Sequence, residues 1–280
     1  MTRKRLAVLG QPISHSRSPA MHNAALAELG LANEWSYEAI EVAPSDFEAL
    51  LRRMAAEGFV GANVTVPHKV TALELADEAS AEARAIGAAN TLSFSRGRIV
   101  AENTDAQGFL DSLPAPPVGE RALVLGAGGS ARAVAWALVT EGAQVSIWNR
   151  TPEKADGLAR ELGASAAETV DAADFDLLVN ATTVGMGAST QASTDLKSLP
   201  IDADALGERH QLVDLAYGAV DTELVRAARA RGARVVDGLE VLVRQGAASF
   251  RIWTGLDPPI EVMRRAVRSD TWQTKTDPDT

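Results

Sequence analysis

The 280-residue chain contains no cysteine, which removes disulfides and thiolate chemistry from consideration. Its four histidines are scattered, none in an H-E-x-x-H or comparable ligand spacing, so no zinc site is expected. It has no excess of basic charge: with a formal net charge of −10 it lacks the basic stripe that a nucleic-acid backbone requires. Long apolar runs are also missing. Arg3-Lys4-Arg5 precedes an apolar stretch, but Gly10 and Pro12 end it too soon for a membrane helix or signal peptide. The expectation is a soluble, cytoplasmic protein. Neither G-x-S-x-G nor G-x-x-x-x-G-K-[ST] occurs, which argues against hydrolase and kinase chemistry. Aromatic residues make up only 5 %, while alanine is abundant, a composition suited to helices packed closely on sheets. The length allows one or two domains, and no long repeat is present.

The segment Arg121–Arg150 carries the clearest pattern. Ala122–Leu125 is continuously apolar, as expected of a strand buried on both faces of a parallel sheet. Gly126-Ala127-Gly128-Gly129-Ser130-Ala131 then fits G-x-G-x-x-G/A. In that motif the first glycine makes a tight turn, the second lets the backbone approach a pyrophosphate, and the third, small residue lets the helix lie close to the strand. A helix from Arg132 to about Glu141 would aim its N-terminus at that phosphate. Gln144–Trp148 forms the next strand, followed by Asn149-Arg150-Thr151 and Lys154. An NAD site would place a carboxylate near this strand end; two cations instead favour the 2′-phosphate of NADP.

Before this segment, Leu6–Leu9 reads as a strand, and Gly10–Pro19 as a loop rich in hydroxyls. Ser18 is expected to cap a helix with Pro19 at its first position, running to about Leu29. Ser16 and Ser18, two hydroxyls flanking Arg17 at a loop-to-helix corner, could hold a polyol or a carboxylate. Glu34–Ile40 reads as a strand, Ser45-Asp46 opens a helix ending near Gly58, and Phe59–Val66 is a strand containing Asn63 and Thr65. Lys69 begins a helix directly beyond it. Lysine is ordinarily exposed, but at the carboxyl end of a strand in an open α/β sheet a partly desolvated amine is a ligand-site candidate. Ile86–Leu92 and Arg98–Glu102 read as paired short strands. Asn103-Thr104-Asp105 precedes a helix from Ala106 to about Leu113, with Asp105 its cap on the plainest reading. Pro114–Gly119 is the clearest linker.

Beyond Arg150 the pattern alternates: a helix Pro152–Leu162, a strand Asp176–Asn180, a small-residue turn Ala181–Met186, a strand Leu212–Leu215 with Tyr217 just past it, a helix Thr222–Arg231 and a strand Arg234–Val236. Gly238 starts a long helix with Leu239, Leu242, Gly246, Phe250 and Trp253 at helical spacing, and with Gln245 polar beside that stripe. A short helix, Pro259–Val267, precedes a polar tail expected to be disordered from Ser269.

With these residues placed, the chain resembles the shikimate dehydrogenase family from about Leu6 to Gly255. The matching runs are Pro12–Pro19, Asn63–Lys69, Gly87–Thr91, Asn103–Phe109, the glycine turn, Asn149–Thr151, Asn180–Met186, and Gly238-Leu239 with Gln245. The resemblance implies an N-terminal α/β substrate-binding domain with a mostly parallel sheet (1–105 and 239–268), a Rossmann NADP-binding domain (106–238), and an active site in the cleft between them. It implies Lys69 and Asp105 as the catalytic pair. It places Ser16 and Ser18 on the substrate carboxylate, Thr65, Lys69, Asn90, Asp105 and Gln245 on its hydroxyls, and Tyr217 near the ring. Gly126, Ala127, Gly128, Gly129, Ser130, Asn149, Arg150, Thr151, Lys154, Leu215 and Gly238 would contact NADP. The implied reaction is reversible reduction of 3-dehydroshikimate by NADPH, within aromatic amino-acid (chorismate) biosynthesis.

Three positions depart from the family pattern: His68 before the lysine, where it could alter the field around Lys69; Gly218-Ala219 after Tyr217, without the usual nearby proline; and Val241, where methionine is frequent. The rival readings are a quinate/shikimate dehydrogenase with broader substrate or NAD use, disfavoured by Ser18 and Arg150, and a non-catalytic NADP-binding regulatory protein, disfavoured by the retention of Lys69 and Asp105. Partners are expected to be small molecules, with a homodimer the assembly to test for.

Overall fold

A computed structural model describes residues 3–186 and 196–269. The expected disordered tail lies outside these residues apart from Ser269. The chain divides into two compact units, one drawn from Met1–Thr104 with Leu242–Thr280 and the other from Asp105–Val241.

The first unit contains β1 (Lys4–Gly10), α1 (Ser18–Glu28), β2 (Trp35–Glu41), α2 (Phe47–Ala56), β3 (Phe59–Val64), α3 (Lys69–Glu74), β4 (Glu78–Ala79), α4 (Ala81–Ile86), β5 (Thr91–Ser95) and β6 (Arg98–Glu102). Its sheet runs β2-β1-β3-β5-β6-β4. The β1–β2, β1–β3 and β4–β6 pairs are parallel, and β5 pairs antiparallel with both β3 and β6. Leu9, Phe47, Leu51, Met54, Leu92 and Ile99 form its apolar centre.

The second unit contains α5 (Asp105–Leu110), β7 (Arg121–Leu125), α6 (Gly129–Thr140), β8 (Gln144–Trp148), α7 (Pro152–Leu162), β9 (Ser165–Ala166), β10 (Leu177–Asn180), β11 (Gln211–Asp214), α8 (Glu223–Ala230) and β12 (Arg234–Asp237). Its sheet is wholly parallel in the order β12-β11-β10-β7-β8-β9. Counted from β7, this is the doubly wound order 3-2-1-4-5-6, with its topological switch between β7 and β10. The continuous apolar runs of β7 and β10 are buried, as a parallel sheet covered on both faces requires. The chain then enters α9 (Gly238–Thr254), which belongs to the first unit from Leu242 onward, and ends its described part in α10 (Ile260–Arg268).

Several boundaries differ from the sequence reading for local reasons. Ser18 is not a side-chain cap: it is the first residue of α1, and Arg17 holds the cap position with no side-chain capping bond. Arg17 itself is buried and donates from Nη1 to the Val267 carbonyl of α10, so it is a structural tie between helices. The expected strand at Ile86 is the last residue of α4, which ends on left-handed Gly87; the strand begins only at Thr91. β3 stops at Val64, two residues short of expectation, and α5 starts at Asp105 and ends at Leu110. On α9 the buried stripe runs through Val243, Gly246, Ala247, Phe250 and Trp253, while Leu239 and Leu242 are only half-buried. Trp253 donates from Nε1 to the Leu92 carbonyl at 3.0 Å, which anchors the helix over β5. Among the described residues, no helix is long and apolar enough to cross a membrane.

Candidate active site

The glycine turn after β7 is shaped as a phosphate cradle. Gly126 has φ +111°, a value that L side chains rarely adopt, and a Cβ there would stand 3.0 Å from the Ala181 carbonyl oxygen beyond β10. Gly128 is different: it caps α6 in extended conformation, and among the described residues nothing but its own chain neighbours lies within 4 Å of a Cβ placed on it. The protein's own packing therefore does not demand a glycine at 128, whereas close approach of a phosphate to the backbone would. Helix α6 begins at Gly129, three residues earlier than the sequence reading, so its free N–H groups belong to the glycine turn itself. Ala131 is fully buried, the small residue that lets α6 lie on β7. At the end of β8, Asn149 is half-buried, and Arg150, Thr151 and Lys154 are exposed; Asn149 Nδ2 donates to the Thr151 carbonyl at 3.0 Å. These residues fit a dinucleotide with an extra phosphate.

The far half of the same sheet edge is held by Asp214, a residue the sequence reading did not single out. It is fully buried at the end of β11. Its Oδ1 accepts from Asn180 Nδ2 at 2.8 Å and from the Ala216 amide at 3.0 Å; its Oδ2 accepts from the Thr222 hydroxyl at 2.5 Å. Burial outweighs these bonds and pushes its carboxyl up to about 6. Asn180, the last residue of β10, also accepts from Thr182 Oγ1 at 2.7 Å, so one carboxylate organises the loops after β10 and β11. Leu215 and Tyr217 stand half-buried in the second of these loops, and Gly238 packs so closely that a Cβ would lie 2.7 Å from the Leu215 carbonyl oxygen. The only early sign of Asp214 was an acid ending an apolar run, which burial alone turns into a structural role.

In the first unit, Lys69 starts α3 and is 8 % exposed, which is unusual burial for a lysine. Its carbonyl accepts from the Ala89 amide at 2.8 Å, tying α3 to the segment that carries Asn90. His68, flagged for its influence on Lys69, instead turns to the core: its Nε2 bonds the Val42 carbonyl at 2.9 Å, and its ring stacks on Phe47 at 4.2 Å. Ser16 is half-buried and its Oγ accepts from the Ser18 amide at 3.3 Å; Ser18 is buried; Thr65 is half-buried at the end of the β3 segment. Asn90 and Gln245, 2 % and 8 % exposed, are brought together: Asn90 Nδ2 donates to Gln245 Oε1 at 3.1 Å. Gln245, polar beside the apolar stripe, is therefore buried and paired. Asp105 is half-buried at the first position of α5, in the second unit.

A doubly wound parallel sheet with a glycine phosphate turn at its switch point defines a Rossmann dinucleotide-binding protein, here carrying a second α/β unit with a buried amine and paired amides. Family models match in the same order: the shikimate dehydrogenase substrate binding domain over residues 8–92, shikimate/quinate 5-dehydrogenase over 116–225, and the shikimate 5′-dehydrogenase C-terminal domain over 238–268. The chain belongs to the shikimate dehydrogenase family. It is 44 % identical over 277 residues to the NADP⁺ shikimate dehydrogenase of Methanopyrus kandleri, covering 93 % of each chain. It is 46 % identical over 268 residues to that of Thermus thermophilus, covering 94 % of this chain and 97 % of the relative. Among solved structures, shikimate 5-dehydrogenase from Thermus thermophilus in complex with NADP(H) and shikimate superposes with a TM-score of 0.84 at 44 % identity, over 95 % and 98 % of the two chains. The ligand-free 5-ketofructose reductase of a Gluconobacter strain also superposes, with a TM-score of 0.81 at 30 % identity over 95 % and 98 %.

Proposed function

We propose that this chain is an NADP-dependent shikimate dehydrogenase, catalysing the reversible reduction of 3-dehydroshikimate to shikimate. The observation that carries the reading is family membership at 44–46 % identity together with the residues on which that chemistry depends: Lys69 buried at the start of α3, paired Asn90 and Gln245, and the Gly126–Ala131 turn. NADPH, when bound, supplies the hydride. The protein's part is to place the carbonyl and deliver a proton. Lys69 Nζ gives its proton to the carbonyl oxygen during reduction and takes it back during oxidation, with Asp105 fixing the amine and the neighbouring hydroxyl. Ser16 and Ser18 hold the carboxylate, while Thr65, Asn90 and Gln245 hold hydroxyls and Tyr217 lies against the ring. Gly126–Ser130 cradle the pyrophosphate, Asn149–Thr151 and Lys154 take the 2′-phosphate, and Leu215 and Gly238 line the nicotinamide end. A cytoplasmic location and a homodimer belong to the same proposal; cell fractionation tests the first and gel filtration the second.

The test is NADP reduction followed spectrophotometrically with three competing alcohols: shikimate, quinate, and fructose as the product of reducing 5-ketofructose. Shikimate should be preferred by kcat/KM, and preference for either alternative would replace the reading. General acid–base help is worth on the order of 10²–10⁴ in rate. Lys69→Met should lose roughly that factor in kcat while NADPH affinity is retained; near-normal turnover would remove Lys69 from the proton-transfer role.

A further inference from the structure

The carboxyl ends of β10 and β11 are joined by more than their ladder. Backbone pairing carries on as far as Leu215, whose N–H donates to the Asn180 carbonyl at 2.9 Å. Past that point the side chain of Asp214 takes donors from three segments: Asn180 Nδ2 at the end of β10, the Ala216 amide in the loop after β11, and the Thr222 hydroxyl at the start of α8. Two of these donors are committed elsewhere as well. Asn180 Nδ2 also reaches the Val184 carbonyl at 3.1 Å, while Asn180 Oδ1 accepts from the Thr182 amide at 3.1 Å and the Thr182 hydroxyl at 2.7 Å. Thr222 Oγ1 accepts from the Val225 amide at 3.1 Å as it caps α8, so its one proton goes to Asp214. The loop after β10 also packs on Thr222 directly: a Cβ at Gly185, where φ is +92°, would lie 2.9 Å from Thr222 Cγ2. One fully buried carboxyl thus joins two loops and a helix start, and removing it strands buried donors.

A doubly wound sheet gives each mononucleotide of a dinucleotide one of its halves. The half β7-β8-β9 carries the glycine turn and the cations after β8, and its junction is braced by bonds that Asp214 does not make. The Gly126 amide donates to the Trp148 carbonyl at 2.7 Å, and the Ala181 amide donates to the Leu125 carbonyl at 2.9 Å. The half β10-β11-β12 is left for the nicotinamide mononucleotide, and it is the half whose loops Asp214 joins.

We propose that Asp214 is a positioning residue for the nicotinamide half of NADP, fixing the loops after β10 and β11 as one piece, while the adenosine half binds independently of it. This rests on the reading of the chain as an NADP enzyme, and it divides the cofactor site into two parts with separate supports. The requirement is hydrogen bonding and not charge. An asparagine at 214 keeps an acceptor for Asn180 and Ala216, and its NH₂ donates to Thr222 Oγ1, which reverses that bond without losing it. An alanine there keeps none of the three.

The experiment uses full-length Asp214→Ala and Asp214→Asn beside the parent at about pH 8, where the Asp214 carboxyl is ionised. Two quantities are read: kcat/KM for NADP at saturating shikimate, and the dissociation constant of adenosine 2′,5′-bisphosphate, which carries the adenosine and its 2′-phosphate without the nicotinamide. Asp214→Ala should lower kcat/KM for NADP about tenfold or more and change the adenosine 2′,5′-bisphosphate constant by less than about twofold. Asp214→Asn should restore kcat/KM to within about threefold of the parent. Unchanged kcat/KM in Asp214→Ala overturns the proposal. So does a comparable loss of adenosine 2′,5′-bisphosphate, because that is general loosening of the unit. An Asp214→Asn as poor as Asp214→Ala overturns it too, because the charge would then be the requirement. If Asp214→Ala does not fold, Thr222→Val takes its place, with Thr222→Ser as the conservative control. It should show the same split on a smaller scale, about threefold in kcat/KM for NADP, and equal values in Thr222→Val and the parent overturn the proposal. A parent that fails to reduce NADP with shikimate removes the functional reading; an active parent with indifferent variants removes only the role of Asp214.

Discussion

Arg150 stands exposed two residues beyond the end of β8, with Lys154 on the first turn of α7. Neither is held in the core, so the charge at both positions has to be accounted for by a ligand or by solvation. The NADP reading uses the first explanation, and a single substitution separates the two. Arg150→Asp sets a carboxylate against the 2′-phosphate, and like charges at close range cost binding. NADPH affinity should fall by at least about tenfold, or ~1.4 kcal/mol, while NADH affinity changes little. Equal effects on both cofactors would remove Arg150 from the 2′-phosphate. His22 makes the contrasting case. It is fully buried, neither ring nitrogen is hydrogen-bonded among the described residues, its ring stacks on Tyr37 at 4.2 Å, and burial lowers it to about 3. Nothing about an isolated histidine in the sequence separates such a neutral core ring from a catalytic one.

At the scale of elements, the junction of β12 and α9 is tight because three carbonyls converge on Gly238. A Cβ at that position would lie 2.7 Å from the Leu215 oxygen and 2.9 Å from those of Asp214 and Ala216. Backbone cannot yield as a flexible side chain can. Gly238→Ala should therefore cost about 1–3 kcal/mol in thermal or denaturant unfolding, and should weaken NADP by displacing the loop after β11. Unchanged NADP affinity would show that this loop is not a cofactor contact. The elements themselves were largely legible: β8, α7 and the start of α9 match the sequence reading, since periodicity, Pro152 at a helix start and Gly163 at its end are local signals. The misses have local causes too. Gly87 was read as part of a strand because Ile86–Leu92 is made almost entirely of small and apolar residues, whereas it serves as a left-handed helix terminator. On α9, Gly246, Phe250 and Trp253 are buried as expected, whereas at its N-terminal end Val241 and Val243 take the buried places expected of Leu239 and Leu242, because an apolar helix offers more than one plausible face.

For the whole molecule, two buried titratable groups in different units respond to acid in opposite directions. His22, in the first unit, has its folded value lowered from 6.5 to about 3. Below pH 6.5 the unfolded chain takes up a proton that the folded one refuses, so stability is lost as pH falls from about 6.5, by up to about 5 kcal/mol near pH 3. Asp214, in the second unit, has its folded value raised from 3.8 to about 6. Between those values the folded state holds a proton that the unfolded chain has released, so stability rises as pH falls from about 6 to 4, by up to about 3 kcal/mol. Acidification to pH 4 should thus weaken hydrogen-exchange protection in the first unit relative to the second. His22→Leu should flatten the loss in the first unit. Asp214→Asn, which keeps an acceptor for Asn180 and Ala216, should remove the rise in stability of the second as pH falls from about 6 to 4. Retention of either slope in its variant would mean that other groups dominate it.

The sequence by itself determined the class of each unit, the phosphate turn and the residues that carry the family resemblance, because these are written in short-range spacing: glycines two apart, an apolar run of strand length, a lysine placed just after a strand. It could not disclose which polar residues would be buried against one another. Asn63, Thr91, Thr104 and Ser249 lie up to 186 positions apart, and Asn180, Asp214 and Thr222 come from three successive segments. Hydrogen-bond polarity and desolvation depend on those distant partners. Only the tertiary structure could decide that Asn90 donates, that Gln245 accepts, and that a single carboxylate organises the loops after β10 and β11.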